Sequence, residues 1–332
     1  MFRYIIKRIL LALLVLFGVS VIIYALIRLM PSDYVDNMFQ SQMQQGRFDQ
    51  EDLDHMKELY GILDNSFWGV LSGYFRWLGG TLTGDFGLSF LYGQPVAQVI
   101  ADNMFVSFAL ALVSLILEYI IAIPLGTRVA VNQYGKLDYA TSVLAMLGIS
   151  LPSFFLSALI IKVFAVDTGW FPIQGIADAT VNWDGNPLGL FFNQLYHLVL
   201  PMLVMTILSI GGLMRYTRTS TLEVLNADYI RTARAKGASE RSVVYKHAFR
   251  NTMIPLVTMM AGTLPGLFGG AMIIEEVFAI PGIGQKAYRA LVAGDVPFIM
   301  GYNMFIAVLV VVGTLLADLM YAVVDPRVKL IR

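Results

Sequence analysis

The sequence predicts an all-α polytopic membrane protein with about six transmembrane helices. Of its 332 residues, 57% are hydrophobic and only 14% are charged, and the mean hydropathy is +0.69. Because a soluble domain carries about 25% charged residues, most of this chain is expected to lie in lipid or against other apolar helices. Six apolar stretches each reach the roughly 20 residues that a helix needs to cross a bilayer.

The first apolar stretch, 9–30, follows the basic residues of the amino terminus and resembles a signal sequence. Its apolar run is too long and no small-residue cleavage site follows, so residues 1–30 are predicted to form a retained anchor helix. An acidic extracytoplasmic loop region, 31–103, is predicted to hold a small folded element and turns at Gly79-Gly80 and Gly84-Asp85. The remaining spans belong to a core domain, 104–324, with a tail at 325–332, and are predicted at 104–125, 139–166, 188–214, 255–280 and 298–324.

The distribution of charge predicts the orientation. Most of the 23 Lys and Arg residues lie in the amino terminus, in segments 126–138 and 215–254, and in the tail. The three alternate segments hold few. Because cytoplasmic loops carry the excess of Lys and Arg, both termini are predicted to be cytoplasmic, in a bacterial-type inner membrane.

Composition excludes several classes of site. The chain has no cysteine, which rules out disulfides, thiolate metal sites and a cysteine nucleophile. Its three histidines, His55, His197 and His247, are too widely spaced to predict a metal site. A formal net charge of zero identifies no partner by itself.

Segment 215–254 is the most informative part of the sequence. Apolar and basic residues alternate there at helical spacing, which predicts amphipathic helix: Leu222, Leu225, Tyr229 and Ala233 against Arg218, Arg231, Arg234 and Lys236. Asp228 is predicted to cap a short helix that Gly237 ends, because glycine takes the left-handed conformation without strain. Ser239 is predicted to cap a second helix, and Pro255 to begin a span.

Three interpretations of this segment follow from its residues. The simplest is a solvated loop that obeys the positive-inside rule. A second is a surface helix bound to anionic lipid. The third is a folded helix-turn-helix whose small residues beside the turn, Ala233 and Ala235, fit a groove in another protein.

Two stretches within segment 215–254 resemble a known family. Residues 229–239 (YIRTARAKGAS) and 246–251 (KHAFRN) are similar to the signature loop of permease subunits of ATP-binding cassette importers, in the dipeptide and oligopeptide (peptide/nickel) branch. The general family form is Glu-Ala-Ala, three residues and Gly, followed further on by Ile-x-Leu-Pro. Here Arg231-Thr232-Ala233 replaces the triplet and the final proline is missing. Both departures are similar to the variant found in the first of the two permease subunits of peptide importers.

Further segments match the same branch in order along nearly the whole chain: 84–89 (GDFGLS) with 95–96 (PV), 150–154 (SLPSF), 169–172 (GWFP), 275–284 (EEVFAIPGIG), 295–297 (DVP) and 325–327 (DPR). Each match is weak alone. Because all of them lie on the expected sides of six predicted spans, together they are specific evidence for this branch.

The resemblance implies a type I importer permease fold and a set of partners. A second homologous permease would complete the pathway, two ATP-binding subunits would hold ATP and Mg, and an extracytoplasmic substrate-binding lipoprotein would deliver the cargo. Family members move peptides, nickel chelates or oligosaccharides. The chain has no Walker loop, so it is expected to hydrolyse no ATP, and it is expected to bind no cofactor and no nucleic acid. Arg231, Ala233, Arg234 and Gly237 would contact the ATPase.

Other candidate residues carry open alternatives. Glu118 lies within a predicted span, where a lipid-exposed carboxylate costs about 2.5–3.5 kcal/mol, so it is expected either to line the pathway or to bond to a neighbouring helix. Glu275 and Glu276 end the fifth span, where a gate or docking role competes with simple exposure. Lys162 and Arg28 are expected to reach the interface without a function.

Three glycines repeat at four-residue spacing in the fifth predicted span: Gly262, Gly266 and Gly270. Close helix packing is expected there, and a smooth surface along the pathway is the alternative. His197 and His247 are expected to be structural or interfacial.

Two other protein classes compete with an importer permease. An ion-coupled secondary carrier should show buried ionisable pairs at mid-membrane, and only Glu118 partly fits. A membrane-embedded hydrolase or assembly factor would need a nucleophile and a base near the spans, for which the sequence offers few candidates.

Overall fold

The computed structural model describes residues 2–28 and 66–324, and that part of the chain is helical. The helices are α1 (Phe2–Arg28), α2 (Phe67–Thr83), α3 (Val96–Val131), α4 (Lys136–Ser150), α5 (Ser153–Ile160), α6 (Pro187–Leu225), α7 (Asp228–Ala235), α8 (Glu240–Ser242), α9 (Phe249–Thr263), α10 (Met272–Val277), α11 (Ile283–Ala293) and α12 (Val296–Val324). A π-helical stretch, Ile161–Asp167, extends α5, and a second, Val243–Ala248, joins α8 to α9. A 3₁₀ stretch, Leu264–Gly269, extends α9.

The predicted all-α membrane fold is confirmed. Among the described residues, α1, α3, α6 and α12 are long and apolar enough to cross a membrane. The segment formed by α4 and α5 makes a fifth candidate if its bend of 109° lies within one span. Helices α3 and α6 extend well beyond the predicted spans: α3 begins at Val96 rather than 104, and α6 ends at Leu225 rather than 214.

The third predicted span, 139–166, is interrupted near its middle. Helix α4 ends at Ser150, and Pro152 takes extended backbone angles as the N-cap of α5. Proline disfavours helical angles in the residue before it, so the SLPSF segment forms a joint between two helices.

The fifth predicted span, 255–280, is not one rod either. Pro255 lies inside α9 rather than at a helix start, so that prediction is wrong. The segment 264–270 is rich in proline and glycine, and Gly270, with φ of 74°, ends the 3₁₀ stretch. The chain then restarts as α10, which has only six residues.

Helices α3 and α6 form the central pair of the bundle, and glycine lets them approach closely. A Cβ atom at Gly126 of α3 would lie 2.7 Å from the carbonyl oxygen of Met214 and 2.8 Å from Cβ of Thr217. Helix α4 packs on α6 in the same way, since a Cβ at Gly211 would lie 2.8 Å from the carbonyl oxygen of Ala145. Small residues at crossings are what membrane bundles use for close packing.

Helix α2 lies in the region predicted as an acidic outer loop. Tyr74 of α2 packs edge-on against Tyr24 of α1, and its hydroxyl lies 2.8 Å from Ser20 Oγ. The turn predicted at Gly79-Gly80 is wrong because the helix continues to Thr83, whereas Gly84, with φ of 86°, does end it. The predicted acidic folded element in 29–65 and the tail 325–332 lie outside the described residues.

The bundle has two ends that matter for function. At one end, called here the elbow end, α3 finishes, α4 begins and the chain passes from α6 through α7 and α8 into α9. At the opposite, far end lie segments 84–95, 168–186 and 270–295.

Candidate functional site

The segment from 226 to 248, called the elbow below, is a folded helix-turn-helix. Helix α6 ends at Leu225, and Ala227 in extended conformation is the N-cap of α7. Asp228 is therefore the first helical residue rather than the predicted cap. Its carboxylate still lies at the positive end of the helix dipole.

The turn after α7 forms as the sequence predicts. Gly237 has φ of 81°, in the left-handed region. Its N–H donates to the carbonyl of Arg234 (2.9 Å), and the N–H of Ala238 donates to the carbonyl of Ala233 (3.2 Å), which is the bonding pattern of a Schellman turn. Ser239 then caps α8, accepting the N–H of Ser242 at 3.4 Å.

The elbow has a small hydrophobic core of its own. Ile230 is fully buried and packs against Val243 and Ala248 of the second helix. Tyr229, which the predicted register placed on the inner face, is exposed. The register differs because the turn at 226–227 interrupts the helix on which the prediction was based.

The outer face of the elbow is exposed and basic. Arg231 is 74% exposed and pairs with Asp228 only at 3.8 Å. Arg234 binds Glu240 through two hydrogen bonds, Nε to Oε1 at 2.8 Å and Nη2 to Oε2 at 3.3 Å. Arg234 therefore closes the turn as well as adding charge.

The structure brings the four predicted coupling residues together on the first helix and turn of the elbow. Arg231, Arg234 and Gly237 are exposed, and Ala233 is half-buried against the elbow core. The role of these residues in coupling stays a prediction. Three of these four side chains or positions lie on the outer surface of the elbow.

An ion pair at the elbow end was not singled out by the sequence analysis. Arg218 of α6 binds Asp138 of α4 in bidentate fashion, Nε to Oδ1 at 3.0 Å and Nη2 to Oδ2 at 2.8 Å. Asp138 also accepts the N–H of Tyr134 at 3.0 Å and is 5% exposed. The pair fixes α4 to the part of α6 that leads into the elbow. In the sequence, Asp138 is an acidic residue at the end of the basic segment 126–138, and this position alone does not indicate its partner.

At the far end, Glu275 is fully buried, so the expectation of simple exposure is wrong for it. Its carboxylate accepts the N–H of Ala271 at 2.8 Å and of Gln285 at 2.9 Å. Glu276 points elsewhere and pairs with Arg289 at 2.9 Å. The two neighbouring glutamates therefore have different roles.

A second buried carboxylate, Asp295, ties the segment before α3 to the start of α12. It accepts the hydroxyl of Ser89 at 2.5 Å and the N–H of Leu91 at 3.0 Å. Burial raises the pKa of Asp295 in spite of these bonds. Burial, with a smaller effect of Asp295, raises the pKa of the neighbouring Tyr92 to about 12. Both groups were missed because their partners are distant in sequence.

The remaining candidates are dispersed. Glu118 is half-buried beside Ser209 of α6, which fits the predicted bond to a neighbouring helix and leaves a pathway role open. Gly262 and Gly266 are exposed, and a Cβ on either would meet no atom of the described chain within 4 Å. The packing predicted for them is therefore not made within this part of the chain, whereas Gly270 does lie against Gly284.

The side chains of Lys162 and His197 have local partners. Lys162 binds Asp167 at 2.8 Å on the exposed surface. His197 places Nδ1 3.2 Å from the carbonyl oxygen of Gly175, which fits a structural role. The carbonyl of His247 accepts the side-chain amide of Asn251. The side chain of Arg28 lies outside the described residues.

Comparison with known proteins identifies the family. Residues 122–330 match the profile described as binding-protein-dependent transport system inner membrane component. The chain belongs to this family of transporter permeases. Its membership places the ATPase on a separate subunit and implies a substrate-binding component.

Two relatives align with nearly the whole permease. It is 37% identical to the oligopeptide transport system permease protein AppB of Bacillus subtilis (strain 168) over 330 residues, covering 99% of this chain and 100% of that one. It is 35% identical to the dipeptide transport system permease protein DppB of Lactococcus lactis subsp. cremoris over 331 residues, covering 99% and 100%.

A solved structure supports the predicted type I permease fold. The permease resembles a chain of the MetNI methionine ABC transporter in its inward-facing conformations, with a TM-score of 0.53 and 20% identity. The match covers 69% of this chain and 97% of that one. At this identity the likeness shows the fold alone.

Proposed function

We propose that this permease forms half of the translocation pathway of an ATP-driven peptide importer and receives its driving force through the elbow. The observation that carries the proposal is the folded, basic, exposed elbow at the end of α6, in a family whose ATPase is a separate subunit. A solvated loop would need neither a core around Ile230 nor the bonded turn at Gly237.

The proposed orientation places the elbow in the cytoplasm of a bacterial cell. The predicted positive-inside distribution assigns the elbow end, the amino terminus and the tail to the cytoplasmic side. The far end then faces outward, where a substrate-binding lipoprotein would deliver cargo. Both termini lie inside in this arrangement.

The proposed complex has five subunits. A second homologous permease completes the pathway, two ATP-binding subunits carry ATP and Mg, and the lipoprotein brings substrate. In this proposal the chain itself supplies neither an ATPase site nor a cofactor. The exposed apolar surfaces of α1 and α3 fit contact with lipid or with the second permease.

The proposed mechanism is mechanical. Closure of the two ATPases would move the elbow, in which Arg231 and Arg234 offer hydrogen bonds and Gly237 fixes the shape. The core around Ile230 makes the two helices of the elbow move as one body. The Asp138–Arg218 pair would carry the displacement into α4, so that the pathway opens alternately to each side.

Peptide is the cargo that the relatives favour. The Bacillus relative is described as an oligopeptide permease and the Lactococcus relative as a dipeptide permease. Both align end to end with this chain, which supports a peptide cargo over the nickel chelates and oligosaccharides of the wider branch.

Reconstitution tests the proposal. The permease would be purified with its four partner subunits, placed in liposomes and assayed for ATP-dependent uptake of labelled dipeptide, hexapeptide, nickel chelate and trisaccharide. We expect uptake of a peptide only, and only with the ATPases and the lipoprotein present. Uptake by the permease alone along an ion gradient would refute it, and so would uptake of the chelate or sugar without peptide.

A further inference from the structure

The far end contains a buried charge whose role the proposed function does not use. Glu275 is fully buried, and Oε1 accepts the N–H of Ala271 while Oε2 accepts the N–H of Gln285. Ala271 is the N-cap of α10, and Gln285 lies in the first turn of α11. The carboxylate satisfies one backbone N–H at each helix start that has no partner within its own helix. One side chain therefore joins the beginnings of two helices.

Three glycines make the space for this carboxylate. A Cβ at Gly282 would lie 2.3 Å from Oε2, one at Gly284 would lie 2.9 Å from Oε2, and one at Gly270 would lie 2.9 Å from Oε1. None of these positions accepts a side chain while Glu275 is in place. At Gly270 and Gly284 the backbone of the facing segment crowds the same space, so these glycines allow both the close backbone approach and the buried carboxylate.

The turn between α10 and α11, residues 278–282, is fixed to α3. The hydroxyl of Ser107 accepts the N–H of Ile283 at 2.9 Å, next to Gly282. The turn also reaches the adjacent far-end segment, since the N–H of Gly175 donates to the carbonyl of Phe278 at 2.8 Å. Helices α10 and α11 are therefore held to each other by Glu275 and to the bundle by Ser107.

The segment before Gly270 connects the elbow to the far end. Helix α9 continues the second helix of the elbow without a break in the helical chain, so a movement of the elbow enters α9 directly. The 3₁₀ stretch Leu264–Gly269 follows, and such stretches have poorer hydrogen-bond geometry and often mark hinges. A Cβ at Gly266 within it would meet no atom of the described chain within 4 Å, whereas Leu267 is buried and the carbonyl of Gly269 accepts the hydroxyl of Tyr302 of α12. The unpacked part of the stretch therefore lies at Gly266.

We propose that Glu275 is a positioning residue that locks α10 and α11 to each other as one rigid cap over the far end of the pathway. Ser107 holds this cap to α3, and the 3₁₀ stretch around Gly266 is the hinge between the cap and α9. The inference rests on the proposed function, because the cap is needed only if elbow motion has to open the far end. Without the carboxylate, movement of α9 would loosen the cap instead of turning the hinge.

Two neighbouring glutamates give a matched test in the reconstituted complex. In Glu275→Gln, the side-chain amide cannot accept both buried N–H groups, so we expect the ratio of substrate-stimulated to basal ATP hydrolysis to fall by at least about fivefold. Glu276→Gln removes an exposed pair with Arg289, and the ratio should stay within about twofold of wild type. Equal ratios in the two variants would overturn the proposal.

A milder pair of variants covers the case in which Glu275→Gln fails to assemble. Ser107→Ala removes the acceptor for the N–H of Ile283 but leaves Glu275 intact. Ser114→Ala is its control, because Ser114 is equally buried on α3 but bonds only to Leu110 of its own helix. The ratio should fall in Ser107→Ala and not in Ser114→Ala. A wild-type ratio in Ser107→Ala would show that the cap is not held to α3.

A reversible cross-link tests positioning directly. A Cβ at residue 282 would lie 2.4 Å from Ser107 Oγ, so the two positions are close enough for a small backbone adjustment to bring their Cβ atoms to the roughly 3.5–4.5 Å that a disulfide spans. Ser107→Cys and Gly282→Cys would be introduced with Glu275→Ala, which removes the oxygen that would collide with residue 282. The chain has no other cysteine.

Oxidation of this triple variant should restore stimulated ATP hydrolysis to within about twofold of wild type, and reduction should abolish the recovery. A formed disulfide without recovery would overturn the positioning role. If peptide failed to stimulate ATP hydrolysis by the wild-type complex, that result would count against the proposed function. The cap is tested separately, by comparing the ratio of stimulated to basal ATP hydrolysis between variants.

Discussion

The ion pair between Asp138 and Arg218 predicts a large and asymmetric response to mutation. Asp138 is buried and Arg218 has a side chain 25% exposed. In Arg218→Ala the carboxylate stays buried without its partner, and breaking a buried pair in this way costs about 3–5 kcal/mol. In Asp138→Ala the guanidinium can still reach solvent, so the loss should be smaller.

An exposed pair of the same length is the control. Lys162 and Asp167 approach to 2.8 Å, as Arg218 and Asp138 do, but their side chains are 66% and 49% exposed. Lys162→Ala should therefore cost less than about 1 kcal/mol. The two pairs differ mainly in burial.

The assay is the free energy of unfolding, measured for the purified chain by titration with a denaturing detergent. Arg218→Ala, Asp138→Ala and the double variant form a thermodynamic cycle, in which we expect the double variant to be no less stable than Arg218→Ala alone. Equal losses for Arg218→Ala and Lys162→Ala would refute the reasoning. Strict additivity of the two single variants would do so as well.

Three further predictions follow from single positions. Gly237→Pro should insert normally but abolish substrate-stimulated ATP hydrolysis, because proline cannot adopt the φ of 81° found at this position. Gly237→Asn should retain the stimulation, because asparagine tolerates the left-handed conformation. Normal stimulation in Gly237→Pro would remove this turn from the mechanism. Gly126→Ala should destabilise the chain by about 1–3 kcal/mol through its collision with Met214, while Gly212→Ala, which meets no atom within 4 Å, should be neutral or stabilising by up to about 1 kcal/mol in the same titration. Burial raises the pKa of Asp295, so the stability of the wild type relative to Asp295→Asn should decrease as the pH rises above about 4, the usual pKa of the group when unfolded; an increase would contradict this.

The sequence predicted the elements that depend on local pattern. Long apolar runs located α1, α3, α6 and α12, since length and hydropathy alone decide whether a helix can cross a bilayer. The turn at Gly237 and the cap at Ser239 were likewise predicted, because each depends on the chemistry of one residue.

Features that depend on distant partners could not be predicted in this way. The pairing of Asp138 with Arg218 and of Ser89 with Asp295 joins residues far apart in the chain. The burial of Glu275 depends on two backbone N–H groups that meet only after the glycine-rich turn has folded. Interrupted spans were missed because their hydropathy is continuous even where proline and glycine break the helix.

The coupling role of the elbow can be tested most directly by site-specific photo-cross-linking in the assembled complex. The chain has no cysteine, so a probe can be attached at Ala235→Cys on the exposed face of the elbow, or at Tyr139→Cys as an exposed control on α4 at the same end. We expect the probe at 235 to cross-link to an ATP-binding subunit, with a yield that changes when ATP is trapped, and the probe at 139 not to. Cross-links from 235 to lipid alone would contradict the coupling role.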